Sequence, residues 1–224
     1  MDNSPTSQKA ILLPNLLIWL IGILAAIHII RQFLPLQTDL LLLFQYGVTP
    51  YDFTTEQREV QNALSLITHM FLHANFQHLL FNSVWLATFG TPVVRRLGVK
   101  GFLAIFLLGG LGGAALYIFQ NPVSIAPMVG ASGAISALIG AAVRFAFRPN
   151  QLAGPVQSQP IQSLTNRNVL IFTGIWFFTN WLMGSSSISS SLTGGQSIAW
   201  EAHIGGFITG IVLFPLIDRI SKPI

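Results

Sequence analysis

The sequence contains no cysteine. That removes disulfides, iron–sulfur clusters, thiolate zinc sites and cysteine nucleophiles together, and it leaves the redox compartment open. Charge is also scarce. Asp, Glu, Lys and Arg make up 8% of the 224 residues, against roughly 25% in soluble domains. A soluble surface needs far more, so a soluble globular enzyme is disfavoured. Disorder is excluded, because 52% of the residues are hydrophobic and the mean hydropathy is +0.64. The class is an integral membrane protein. The net charge of +4 and pI near 10.0 report orientation in a membrane, not nucleic-acid binding.

A transmembrane helix needs about 20 mostly apolar residues. Six segments meet or approach that length: about 14–34, 76–94, 101–119, 130–147, 169–184 and 199–217. Pro35 is a plausible stop for the first. That first run is too long for a signal-peptide core and has no small-residue cleavage site after it, so it is read as a retained span. The expected architecture is an all-α membrane protein, a six-helix bundle over residues 14–219 with tails at 1–13 and 220–224. No internal repeat is visible, which disfavours an inverted-repeat transporter.

With six spans, both termini share a side. Nine basic residues, Lys9, Arg95, Arg96, Lys100, Arg144, Arg148, Arg167, Arg219 and Lys222, then fall with the termini, and Arg31 and Arg58 fall opposite. The positive-inside rule puts both termini in the cytoplasm. The long loop at about 35–67, with its apolar Leu40–Phe44 stretch, and the SSSISSSLTGGQS segment at 185–197 then face outward. The second of these is polar, uncharged and glycine-containing, a composition that favours mobility.

Polar residues inside spans are costly and usually functional. Three clusters qualify. THMFLHANFQHLLFN, 68–82, holds His69, His73, His78 and Asn82. VGASGAISALIGA, 129–141, places Ser132 between Gly130 and Gly133 at the start of the fourth span. EAHIGGFITG, 201–210, places His203 at the start of the sixth. Ser132, Ser136 and Gly140 lie on one face of a helix, as do His203, Gly206 and Gly210. Small faces let transmembrane helices approach closely, so Gly130, Gly133, Gly206 and Gly210 are read as packing support. Packing these faces together brings Ser132 Oγ within reach of His203, the nucleophile–base arrangement of a serine hydrolase. The start of a helix favours an anion, and His78 and Asn82, four apart, add side-chain donors. No acidic residue has a convincing place as a third member, so a Ser–His dyad is the simplest reading. His69 and His73 are read as hydrogen-bonding anchors of the long loop rather than metal ligands. His28 is a packed or pore-facing residue without an assigned role. No metal or cofactor is expected.

The HxxxN of His78–Asn82, the GASG of Gly130–Gly133 and the AHxxG of Ala202–Gly206 occur in this order on the expected spans. In this the chain resembles the rhomboid intramembrane serine proteases, over about residues 14–219. The resemblance implies Ser132 as nucleophile and His203 as general base. It implies an oxyanion hole of His78, Asn82 and the Ser132 backbone N–H. It implies transmembrane segments of other proteins as substrates, in a bilayer, with the fifth span and the 185–198 loop as a gate and 35–67 as an interfacial loop. Three positions depart from the family pattern. Leu64 and Ser65 stand where many members have Trp-Arg, and Val94-Arg95 where many have Glu-Arg. Ser136 stands where many have an aromatic packed on the base, so another group, such as Phe207 or a water, is expected to hold His203 instead. The alternatives are a catalytically silent rhomboid-like protein that binds transmembrane clients, and a small transporter or channel. No Arg- and Ser-rich presequence opens the chain, which favours a bacterial cytoplasmic membrane over a mitochondrion.

Overall fold

The structure is a computed structural model, and it describes residues 13–55, 60–147, 156–185 and 198–221. The expected mobile segment at 185–197 lies, apart from Ser185, outside the described residues. Among the described residues the chain is helical: α1 Asn15–Gln32, α2 Leu36–Tyr46, α3 Pro50–Thr54, α4 Val60–Thr68, α5 Phe76–Gln120, α6 Ser132–Ala146, α7 Arg167–Ser185 and α8 Trp200–Ser221. Short 3-10 turns cover His69–Phe71 and Val156–Ser158. Pro14 and Pro35, neither of which can continue a preceding helix, stand at the starts of α1 and α2. Asn75 caps α5, its side-chain oxygen accepting the backbone N–H of His78 at 2.8 Å.

Three of these helices, α1, α5 and α8, are long and apolar enough to cross a membrane, and α6 is a shorter apolar helix. The second and third expected segments form one helical run, α5. Straight, its 45 residues would span about 68 Å, more than twice a hydrocarbon core of about 30 Å. Gly98, at φ 67° and ψ −176°, breaks the run into two rods. This left-handed conformation is open to glycine and costly for other residues. Both ends of α5 come to the same end of the bundle. Asn121 Nδ2 donates to Glu201 in the first turn of α8 at 3.4 Å, and the His78 ring lies beside Gly130, 2.7 Å from where a Cβ there would stand, just before α6 begins. The chain therefore doubles back at Gly98.

The core is α6, every residue of which from Gly133 to Val143 is buried. The two rods of α5 and α8 enclose it, α1 lies against α5, and α7 touches α8 and little else. Outside, large apolar side chains such as Trp19, Ile30, Phe81, Val212 and Leu216 are exposed. A water-facing surface of that kind would be a large aggregation liability, and a lipid-facing one is not.

The glycine faces meet as expected, one residue out of register. A Cβ on Gly206 would fall on the Gly133 carbonyl oxygen, one on Gly210 on the Ala137 carbonyl, and one on Gly140 on the Phe207 carbonyl. The α6 face against α8 is therefore Gly133, Ala137 and Gly140. The face expected from the sequence was Ser132, Ser136 and Gly140. The reason lies in two positions: Gly133 meets Gly206 backbone to backbone, where a Cβ has no room, and Ala137 offers α8 its carbonyl while its own Cβ faces Gly109 on α5.

At the end of the bundle away from Ser132, Arg96 and Asp218 form a buried, two-pronged ion pair, with Nε–Oδ1 at 2.7 Å and Nη2–Oδ2 at 3.0 Å. Arg96 Nη1 donates to the carbonyls of Val156 and Gln159, and the guanidinium lies over the rings of Phe145 and Phe214. This ties the middle of α5 to the end of α8 and to the 3-10 turn at 156–158.

Candidate active site

Ser132 opens α6 because the chain before it is held in place. Val48 and Met128 exchange backbone hydrogen bonds at 2.9 and 2.8 Å, so the outer loop pairs with the segment preceding the serine. The Gly130 N–H then donates to the His69 carbonyl at 2.9 Å. Gly130 has φ 125°, again reserved for glycine. A Cβ there would also sit 2.7 Å from the His78 ring and 3.8 Å from Ser132 Oγ. The Ser132 hydroxyl and the His78 imidazole thus flank one small space beside Gly130, close to the start of α6. Ser132 Oγ makes no side-chain hydrogen bond among the described residues.

His203 lies in the first turn of α8 at the same end of the bundle. Between it and Ser132 the backbones of α6 and α8 touch at Gly133 and Gly206. No hydrogen bond joins Ser132 to His203 among the described residues. Catalytic hydrogen bonds are often long without substrate and tighten when it binds. The imidazole does have a partner: His203 Nδ1 lies 2.7 Å from Asn180 Oδ1 on α7. Another residue does hold the base, as expected, and it is Asn180 rather than Phe207. Phe207 is buried and stacks on Trp176 at 4.4 Å, one turn along the helix. Ser136 is buried and brings no ring.

Asn82 is buried one turn after His78, and one of its amide hydrogens goes to the His78 carbonyl at 2.9 Å. The other remains as a donor. The His73 ring stands edge-on to His78 at 5.1 Å. The backbone of His73 is an anchor. Its carbonyl accepts Arg31 Nη1 at 2.7 Å and lies 3.1 Å from His28 Nδ1. Arg31 in turn holds Asp39 at 2.7 and 3.1 Å. His69 Nδ1 lies 2.9 Å from the Ser65 carbonyl. Burial drives the imidazoles of His69 and His73 toward the neutral form, down to about 4 and about 3. His28, without a role in the sequence, is thus a strut of this corner, its ring edge-on to Phe76 at 4.6 Å. No cluster of three metal-ligating side chains occurs among the described residues.

Asn180 escaped the sequence reading. The signal was available: an amide inside the apolar run IWFFTNWLMG needs a partner. What was missing was the identity of that partner, 23 residues away.

Comparison with known proteins agrees with this architecture. The family model described as the Rhomboid domain matches residues 60–219. The chain is 32% identical over 191 residues to the protein named "Putative rhomboid protease YdcA" of Bacillus subtilis, covering 85% of this chain and 84% of that one. It is 29% identical over 147 residues to the rhomboid protease GlpG of Salmonella paratyphi A, covering 65% and 45% of the two chains. It is 34% identical over 109 residues to the chloroplastic RHOMBOID-like protein 9 of Arabidopsis thaliana, covering 49% and 24%.

Proposed function

The chain belongs to the rhomboid family, and from that premise we propose that it is an intramembrane serine endopeptidase that cleaves transmembrane segments of other proteins. The observation that carries the reading is the convergence of Ser132, His78 and His203 at one end of a core built on glycine contacts. A second observation concerns depth. α6 has 15 residues, about 22 Å, against a hydrocarbon core of about 30 Å. Its far end carries Arg144, which belongs near an interface, so Ser132 starts below the opposite headgroups. The orientation with both termini in the cytoplasm, six membrane crossings and a bacterial cytoplasmic membrane belong to the same proposal.

In this mechanism Ser132 Oγ attacks the carbonyl carbon of the scissile peptide bond while His203 Nε2 takes the hydroxyl proton. The tetrahedral oxyanion is met by the Ser132 backbone N–H, by the His78 ring and by the free amide hydrogen of Asn82. One such donor is typically worth about 2.7–4 kcal/mol of barrier. His203 returns its proton to the departing amine as the C–N bond breaks. Water, deprotonated by His203, then attacks the acyl-serine ester, and collapse frees the carboxylate and restores Ser132. Substrate enters from the bilayer on the side of α7, which packs mainly on α8 with a smaller contact to α6. The test is cleavage of a single-span reporter co-reconstituted in liposomes. Wild type is expected to cut it and Ser132→Ala to leave it whole. Cutting by both would remove the assignment.

A further inference from the structure

The Asn180 amide is committed at both ends. Its Nδ2 donates to the Trp176 carbonyl of its own helix at 2.8 Å, and its Oδ1 faces His203 Nδ1 at 2.7 Å. The first bond fixes the second. With the NH2 group turned to the helix, the edge toward His203 is the amide oxygen, which only accepts. His203 must therefore carry its proton on Nδ1, and its lone pair is then on Nε2, the nitrogen a base needs. The bond does not stand alone. One turn further, Trp176 stacks on Phe207 at 4.4 Å, with Phe177 edge-on to Phe207 at 5.6 Å. Asn180 and Trp176 are four apart, as are His203 and Phe207, so the same two helix faces meet at two successive rungs.

We propose that Asn180 is the positioning residue of the base: it fixes the tautomer and orientation of His203 from α7, in a chain whose residue 136 supplies no ring to do so. The inference rests on the protease reading for its consequence, though not for the hydrogen bond itself. During the reaction the proton from Ser132 goes to Nε2, the Nδ1–H stays directed at the amide oxygen, and Asn180 neither gains nor loses a proton. The titratable group facing His203 from α5 is His78. Ser132 approaches from α6, and α7 brings Asn180 with its charged residue, Arg167, at the far end. On α8 itself, Glu201 is engaged by Asn121.

The test is the rate of fluorophosphonate labelling of detergent-solubilised protein against pH, for wild type, Asn180→Ala, Asn180→Asp and Trp176→Ala. Asn180→Ala is expected to slow labelling several-fold, up to about tenfold, the loss of one hydrogen bond's worth of alignment. Asn180→Asp keeps the acceptor and adds a negative charge, which stabilises the imidazolium. Its labelling at high pH should recover toward wild type while its midpoint moves up by about one pH unit. Trp176→Ala disturbs the helix contact without touching the acceptor and should leave the midpoint unmoved. A labelling rate for Asn180→Ala within twofold of wild type, or an unmoved midpoint in Asn180→Asp, would overturn the inference. Should Asn180→Ala not fold, the Asn180→Asp midpoint decides alone. Nitrogen-15 NMR of histidine-labelled protein, assigned with His203→Gln, reads the tautomer whether or not any probe reacts. A wild type that takes no label removes the protease reading, yet Nδ1–H on His203, lost in Asn180→Ala, would still uphold the positioning role. Nε2–H in wild type would overturn it.

Discussion

Adding one methyl group at Gly206 should separate stability and catalysis from simple helix propensity. In a helix interior, Gly→Ala alone gains roughly 0.5–1 kcal/mol. At Gly22 on α1 an added Cβ meets nothing within 4 Å, so Gly22→Ala should keep that gain. At Gly206 the same Cβ lands on the Gly133 carbonyl oxygen, backbone against backbone. No side chain can rotate away, so α6 and α8 must part. Overpacking of this kind costs about 1–3 kcal/mol, enough to outweigh the propensity gain. Gly133 and Gly206 lie between Ser132 and His203, so the parting is transmitted to the reacting atoms. A misplacement of about 1 Å can cost on the order of 100-fold in rate. The assay is the labelling rate with a fluorophosphonate, beside the thermal midpoint in the same detergent. Gly206→Ala is expected to melt lower and to label roughly 100-fold more slowly, while Gly22→Ala matches or exceeds wild type in both. Wild-type labelling in Gly206→Ala would show that the glycine contact does not set the geometry of the site.

Other perturbations have defined directions. Asp218→Ala leaves the buried Arg96 guanidinium without its carboxylate, a loss of about 3–5 kcal/mol that should appear as a large fall in the thermal midpoint; an unchanged midpoint would refute the lock between α5 and α8. Acid should destabilise the fold. Burial holds His69 down to about 4 from 6.5, so the unfolded chain takes up that proton first, and stability is full above about 6.5 and lost as pH falls toward about 4. His69→Gln should flatten melting temperature against pH in that window. Labelling should also fall in acid as His203 protonates, and a rate that stays flat down to the lowest pH at which the protein remains folded would argue against His203 as base.

Much of the bundle could be read from apolar run length, because in a bilayer every backbone group must be satisfied within a helix. The start of α6 at Ser132 and the place of His203 in the first turn of α8 followed from the glycine motifs around them. The place of the bend was legible and its form was not. The gap between the segments at 76–94 and 101–119 holds Gly98, whose left-handed conformation turns the chain without a loop and which looks in sequence like any other of 20 glycines. The α6 face was misjudged by one residue because Ser132 and Gly133 are both small, and only the Gly133–Gly206 contact decides between them. Asn180 and the Arg96–Asp218 pair were missed for a shared reason: each joins residues on different helices, 23 and 122 positions apart. Sequence shows that such groups need partners and does not say which.

The pairing of Ser132 with His203 is tested most directly by fluorophosphonate labelling of wild type, Ser132→Ala and His203→Ala in detergent. Labelling of wild type that is lost in both variants is expected. A well-folded wild type that takes no label in several detergents, or label that survives Ser132→Ala, would contradict it; the first of these would favour a client-binding protein and make Ser136 the residue to change to an aromatic.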